Sequence, residues 1–187
     1  MARDIRNERT EEAIVDGLLQ LLTEKPLERI SVSEVARTAQ VSRSTFYAHF
    51  SGIDEVFSRT VLEFTKRTRR LDVQLRCSSC NEPGPGIPFC MQVRESRSFR
   101  ALVEEPRFLS TYLEIVRADG TNPIATELEK ENADPAIIDA LIRFQMSGGY
   151  SVAINTHSDV NWHKIQSALD AFIRGGLNAL RTHMQQP

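Results

Sequence analysis

Apolar residues recur at helical spacing along most of the chain. Ile14, Leu18, Leu21 and Leu22 follow an i, i+4, i+7, i+8 pattern and predict a first helix over about 10–23, closed by Pro26. Val35, Ala36 and Ala39 form a narrow stripe of mostly small residues, which suits a short helix that a second one approaches closely. Phe46 and Phe50 stand four apart and bury on one side of a third helix. Phe57, Val61, Phe64, Leu71 and Leu75 share a face of a fourth, over about 54–75, with Thr68 filling the gap. Further helices are expected at about 91–104, 106–118, 122–131, 135–157 and 160–184. Pro106, Pro123 and Pro135 each fit a first turn, and Asp134-Pro135 and Asn161-Trp162 fit helix starts. The pattern is that of an all-α protein.

The segment ISVSEVARTAQVSRSTFYAHF, residues 30–50, carries the densest local signals. Ser31 and Glu34 have the S-x-x-E spacing of a capping box, so a helix starts at Val32. Gln40-Val41 is the turn, and Ser42 caps the next helix with Thr45 at its third position. With Phe46 and Phe50 inside, Arg43, Ser44, Thr45, Tyr47, Ala48 and His49 are left for the outside. Two packed helices of an ordinary core share this periodicity; the outward residues are what separate the readings. Arginine pairs bidentately with guanine, and hydroxyls reach bases or phosphates. Tyr47 and His49 offer donors to a duplex backbone, where contacts position without reading sequence.

Residues 10–57 resemble the DNA-binding domain of the tetracycline-repressor (TetR) family of bacterial regulators. The resemblance rests on an amphipathic first helix (TEEAIVDGLLQLLTEKP), then ISVSEVA, then A-x-VSRSTFYAHF, then the helix start DEVF. It implies a helix-turn-helix three-helix domain over residues 1–52 and a helical ligand-binding and dimerisation domain over residues 53–187. Within the second, 53–75 is a linking helix and 76–90 an irregular loop. The DNA-contacting residues are then Ser33, Ser42, Arg43, Ser44, Thr45, Tyr47 and His49. Two positions depart from the family pattern: Gln40 sits where the turn usually carries Gly, and Ile53 where the fourth helix often opens with Lys.

The clearest break in the pattern is RCSSCNEPGPGIPFC, residues 76–90, with three prolines and two glycines, which preclude a regular element. It reads as a domain boundary or a functional loop. Cys77, Cys80 and Cys90 lie there in C-x2-C-x9-C spacing. A single CxxC points to metal or redox work, and a thiol-based redox or metal-responsive protein is the rival reading. A structural zinc usually takes four ligands, only three cysteines exist, and no βαβ pattern accompanies them. The pair follows helix four instead of opening a helix, so the dipole opposes thiolate formation while Arg76 favours it. Incidental thiols in a loop are the default, with no metal and no cofactor expected.

Net charge is −2, which argues against a strongly basic nucleic-acid protein. Residues 1–70 hold twelve Lys+Arg against eleven Asp+Glu, and the rest eleven against fourteen, so DNA affinity must come from local placement of Arg3, Arg6, Arg9, Arg37 and Arg43. Arg3, Arg6 and Arg9 read as a solvated tail ahead of the first helix, or as a short arm on DNA. Lys66, Arg67, Arg69 and Arg70 read as a solvated face at a helix end, or as phosphate ligands. No stretch approaches membrane-spanning length, and no secretory signal is seen, so the expectation is a cytoplasmic protein without membrane contact. No nucleotide-binding, nucleophile-elbow or metalloprotease motif is present, and no enzyme is expected.

In the last two helices Ile138, Leu141, Gly148, Gly149 and Val152, and Trp162, Ile165, Leu169, Phe172, Ile173, Gly176, Leu177 and Leu180, make two apolar stripes. The resemblance implies that they pair in a homodimer. It also implies an unidentified small-molecule effector held by the C-terminal helices, with Phe99, Phe108, Tyr112, Phe144, Tyr150 and His157 as candidate lining. Aromatics at this spacing are more often ordinary core. The whole reading is a repressor that binds a pseudo-palindromic double-stranded operator.

Overall fold

A computed structural model describes residues 2–69, 93–119, 123–130, 132–156 and 160–184. Every regular element among them is helical. In chain order these are α1 Ala2–Leu22, α2 Val32–Thr38, α3 Arg43–His49, α4 Ile53–Arg69, α5 Arg97–Glu104, α6 Phe108–Asp119, α7 Pro123–Lys130, α8 Pro135–Asn155 and α9 Trp162–Met184, with a 3-10 turn at Leu27–Arg29 before α2. The chain falls into two compact units, Met1–Phe64 with Glu95–Tyr112 and Thr65–Arg94 with Leu113–Pro187.

In the first unit, α1 buries Ile14, Val15, Leu18, Leu19, Leu21 and Leu22, and α2 contributes Val35 and Ala36. Helix α1 begins at Ala2, well before the expected Thr10, so Arg6 and Arg9 lie on a helix and not in a tail. Phe46, Phe57, Phe64 and Phe108 are the largest fully buried side chains. Each is worth roughly 1.5–3 kcal/mol of burial, and together they join the three-helix segment to α4 and α6. Phe64 packs edge-on against Phe99 at 5.2 Å and Phe108 at 5.6 Å, and Phe108 stacks on Tyr112. The unit that holds the helix-turn-helix segment thus also takes in the start of α4, α5 and the start of α6.

In the second unit, Asp134 caps α8 by accepting from the Ala136 amide, and Pro135 takes the first helical position as expected. Asn161 caps α9 through the Lys164 amide. Trp162, Ala153, Val152 and Ile165 form a small apolar cluster, and the Arg94 guanidinium lies 4.7 Å over the Trp162 ring. The glycine pairs of α8 and α9 have open space where a Cβ would stand. Phe144 and Phe172 are 66% and 67% exposed. Among the described residues no helix is long and apolar enough to cross a membrane.

Candidate DNA-binding site

Three caps set the frame of the helix-turn-helix segment. Glu34 closes a complete capping box on α2: the Ser31 side chain accepts from the Glu34 amide, while the Ser31 amide donates to the Glu34 carboxylate. The Lys25 ammonium, 2.5 Å from Glu34 Oε1, and the Ser31 bonds draw the Glu34 pKa down from 4.5 to about 2. Ser42 caps α3 by accepting from the Thr45 amide at 3.0 Å. The third cap opens α4. Glu55 accepts from the Ser51 amide at 2.6 Å and its hydroxyl at 2.7 Å, which holds its carboxyl below the ordinary range.

Between α2 and α3, Gln40 takes φ 55°, the left-handed conformation that favours Gly. The Val41 amide returns to the Ala36 carbonyl at 2.9 Å. This is the helix-ending geometry of a residue after the C-cap, and it turns the chain sharply enough to start α3 three residues later, at Arg43. Helix α2 lies tight on α1: a Cβ on Gly17 would stand 3.2 Å from the Ala39 amide nitrogen.

Helix α3 is held by Phe46 and Phe50, both buried, with ring centroids 6.0 Å apart. That burial leaves Ser42, Arg43, Ser44 and Tyr47 exposed and Thr45 half-exposed, on one short helix. Ser42 Oγ lies 2.8 Å from both Ser44 Oγ and Thr45 Oγ1, so the three hydroxyls form one local network at the helix start. Such hydroxyls rotate and can turn a donor or a lone pair outward. Arg43 makes no ion pair among the described residues, and Tyr47 is 51% exposed. Ser33 is exposed on α2. Ile53, where a Lys is often found, is half-buried in the first turn of α4.

His49 departs from the expected outward placement. Its side chain is 13% exposed, and Nδ1 faces the Glu11 carboxylate of α1 at 3.5 Å. Arg59 of α4 reaches the other Glu11 oxygen at 3.3 Å and Glu63 at 3.2 Å. Glu11 and Arg59 drew no attention in the sequence, because no local spacing ties them to α3.

The candidate effector residues divide between the units. Phe108 and Tyr112 are buried and Phe99 half-buried in the aromatic cluster of the first unit. Tyr150 is half-buried and Phe144 largely exposed in the second. Phe144 therefore does not line an enclosed pocket within its own unit. His157 and all of residues 70–92, which include Cys77, Cys80, Cys90, Leu71 and Leu75, lie outside the described residues.

Residues 14–60 match the family described as bacterial regulatory proteins, tetR family. An uncharacterized HTH-type transcriptional regulator of Haemophilus influenzae is 39% identical over 75 residues, a match covering 40% of this chain and 37% of that protein. The matched segment thus spans little more than a third of the curated relative. Among solved structures, the TetR family repressor AlkX from a Dietzia strain, implicated in biodegradation of n-alkanes, is 16% identical with TM-score 0.48, covering 90% of this chain and 96% of that one. A TetR transcriptional regulator from Rhodococcus sp. RHA1 is 14% identical with TM-score 0.49, covering 90% and 97%. The exposed face of α3, the two capped helices and the match converge: residues 14–60 form a helix-turn-helix segment of the family described as bacterial regulatory proteins, tetR family.

Proposed function

We propose that this protein is a cytoplasmic transcriptional regulator that binds double-stranded DNA as a homodimer, with α3 of each protomer in the major groove of a pseudo-palindromic operator. The observation that carries the reading is the face of α3. Ser42, Arg43, Ser44, Thr45 and Tyr47 stand outward on a helix that Phe46 and Phe50 fix from behind. In helix-turn-helix docking the first turn of the second helix reaches base edges, so Arg43 and Thr45 read bases. Tyr47, further along, meets the phosphate backbone, and Ser33 on α2 contacts backbone as well.

Support for the dimer comes from α8 and α9. Phe144 and Phe172 are exposed, and the glycine pairs leave room for close helix approach. A self-complementary pairing of these faces would place two reader segments about a two-fold axis. Residues 53–187 would then serve dimerisation and response to a small-molecule effector, and the sign of regulation would be repression. The effector and the sign rest on the family resemblance. Nothing supports the cysteine-based alternative.

Selection of bound sequences from a random duplex library with the full chain tests the reading. The expected product is a pseudo-palindrome with half-sites about one helical turn, ~34–36 Å, apart. No enrichment over unselected DNA would overturn it.

A further inference from the structure

We infer that Glu105 is a positioning residue for DNA binding: from the corner between α5 and α6 it caps the Leu27–Arg29 turn, and so fixes where the helix-turn-helix segment begins. This rests on the DNA-binding function proposed above.

The turn needs a partner that its own sequence does not supply. Its N-cap is Pro26, and no side-chain hydrogen bond caps it locally. The first amides of a helical turn have no acceptor within it, and the Leu27 amide is the first here. Leu27 is buried, and a buried amide without an acceptor is costly. Glu105, 78 residues further on, supplies the acceptor: its Oε1 takes the Leu27 amide at 3.0 Å. The bond calls for an acceptor oxygen in the right place, which a carboxyl and a carboxamide both provide.

The corner that carries Glu105 is itself fixed. Its amide donates to the Leu102 carbonyl at 3.3 Å, ending α5, and its carbonyl accepts from the Phe108 amide at 2.9 Å, opening α6. Leu102 and Phe108 are fully buried in the same unit. At the other end of α5, Arg97 Nη2 donates to the Thr23 carbonyl at 3.3 Å. One helix thus holds both ends of residues 23–27, the stretch that joins α1 to the turn. Between those ends Lys25 bonds Glu34 of the α2 capping box, so a shift of this stretch carries to the start of α2 and through it to α3. Alongside lies a groove of about 370 Å³ bordered by Thr23, Lys25, Pro26, Arg97 and Glu104, which leaves the stretch room to move once the Glu105 bond is lost. Base readout needs the first turn of α3 seated in one orientation. When only a fraction of molecules hold that placement, affinity falls by that fraction.

The test is the affinity of the full chain for its selected duplex, measured by fluorescence anisotropy at several salt concentrations and well below the melting temperature. Glu105→Met is about as long but has no acceptor oxygen. It is expected to bind roughly tenfold weaker, with the wild-type salt slope and sequence preference, because no group that touches DNA is lost. Glu105→Gln keeps the acceptor and is expected to bind within about twofold of wild type. Glu105→Asp draws the carboxyl back by one methylene and is expected to behave like Glu105→Met; it decides the matter if circular dichroism shows Glu105→Met unfolded. A merely structural role would lower the melting temperature of Glu105→Met and leave the affinity of its folded molecules unchanged, and that result overturns the inference. So does a Glu105→Gln variant as weak as Glu105→Met, or a changed salt slope or sequence preference, which would place Glu105 on the DNA. Loss of the fold in both Glu105→Met and Glu105→Asp makes the bond a determinant of folding and likewise overturns a positioning role. Each of these leaves DNA binding standing. Wild type that selects no duplex overturns the proposed function, and this inference with it.

Discussion

Gly17 of α1 and Ala39 at the end of α2 are packed so closely that a Cβ on Gly17 would lie 3.2 Å from the Ala39 amide nitrogen and 3.4 Å from its Cβ. The Val35 carbonyl oxygen would be 3.3 Å away on the same side. Gly in mid-helix costs about 1 kcal/mol of propensity relative to Ala. Here the cost is offset by bringing the helix-turn-helix backbone onto α1. Gly17→Ala should therefore fail to gain that 1 kcal/mol in urea unfolding, and Gly17→Val should lose about 1–3 kcal/mol by overpacking. A Gly17→Ala variant fully 1 kcal/mol more stable than wild type would show the contact to be soft.

Gln40 carries a side chain at φ 55°. A left-handed residue with a Cβ costs about 1 kcal/mol. Gln40→Gly should stabilise the protein by about 0.5–1 kcal/mol, less what the unfolded chain gains in freedom. Gln40→Val, with a branched Cβ, should destabilise. Thermal melts of the two variants give opposite signs if the turn has this conformation, and matching signs if it does not.

Glu34 has a folded-state pKa depressed from 4.5 to about 2, chiefly by the Lys25 hydrogen bond and then by Ser31. A depressed carboxylate contributes stability that is present above the unfolded value and is lost as pH falls through the folded one. The wild type should therefore lose stability relative to Glu34→Gln between about pH 4.5 and about pH 2, with a constant difference above that window. Parallel denaturation curves across the window would show that the capping box does not depend on the charge.

Arg43→Ala should cost about 1–3 kcal/mol of operator binding and relax preference at one base position. Tyr47→Phe should weaken all sequences alike and leave the salt slope almost unchanged, since the lost contact is neutral. Repeating the library selection with each variant separates a reader from an anchor. A full preference retained by Arg43→Ala, or one altered by Tyr47→Phe, reverses the assignment.

Phe144→Glu combined with Phe172→Glu places charge on the exposed apolar positions of α8 and α9. Sedimentation at micromolar concentration should show a dimer for the wild type and a monomer for the double variant. Operator affinity should fall with dimerisation while the helical content stays the same. A dimer that survives both substitutions places the interface elsewhere.

What the sequence determined by itself is local. The Ser31–Glu34 box, the Ser42 cap, the turn at Gln40 and the inward pair Phe46 and Phe50 all depend on residues within five positions of each other. Capping and helical period act at that range, so the residue string carries them whole. The caps of α8 and α9 were legible for the same reason. The start of α1 was not: the charged segment before Thr10 has no apolar face to mark it as helix. Tertiary structure decided what lies across helices. It set Gly17 against Ala39, gathered Phe64, Phe99, Phe108 and Tyr112 into one cluster, and left Phe144 and Phe172 exposed. It also turned His49 from an outward residue into the partner of Glu11. Helical period says which residues share a face, but a partner on another helix depends on crossing angle and depth of packing. Those follow from how all the apolar faces fit at once, which no single segment encodes.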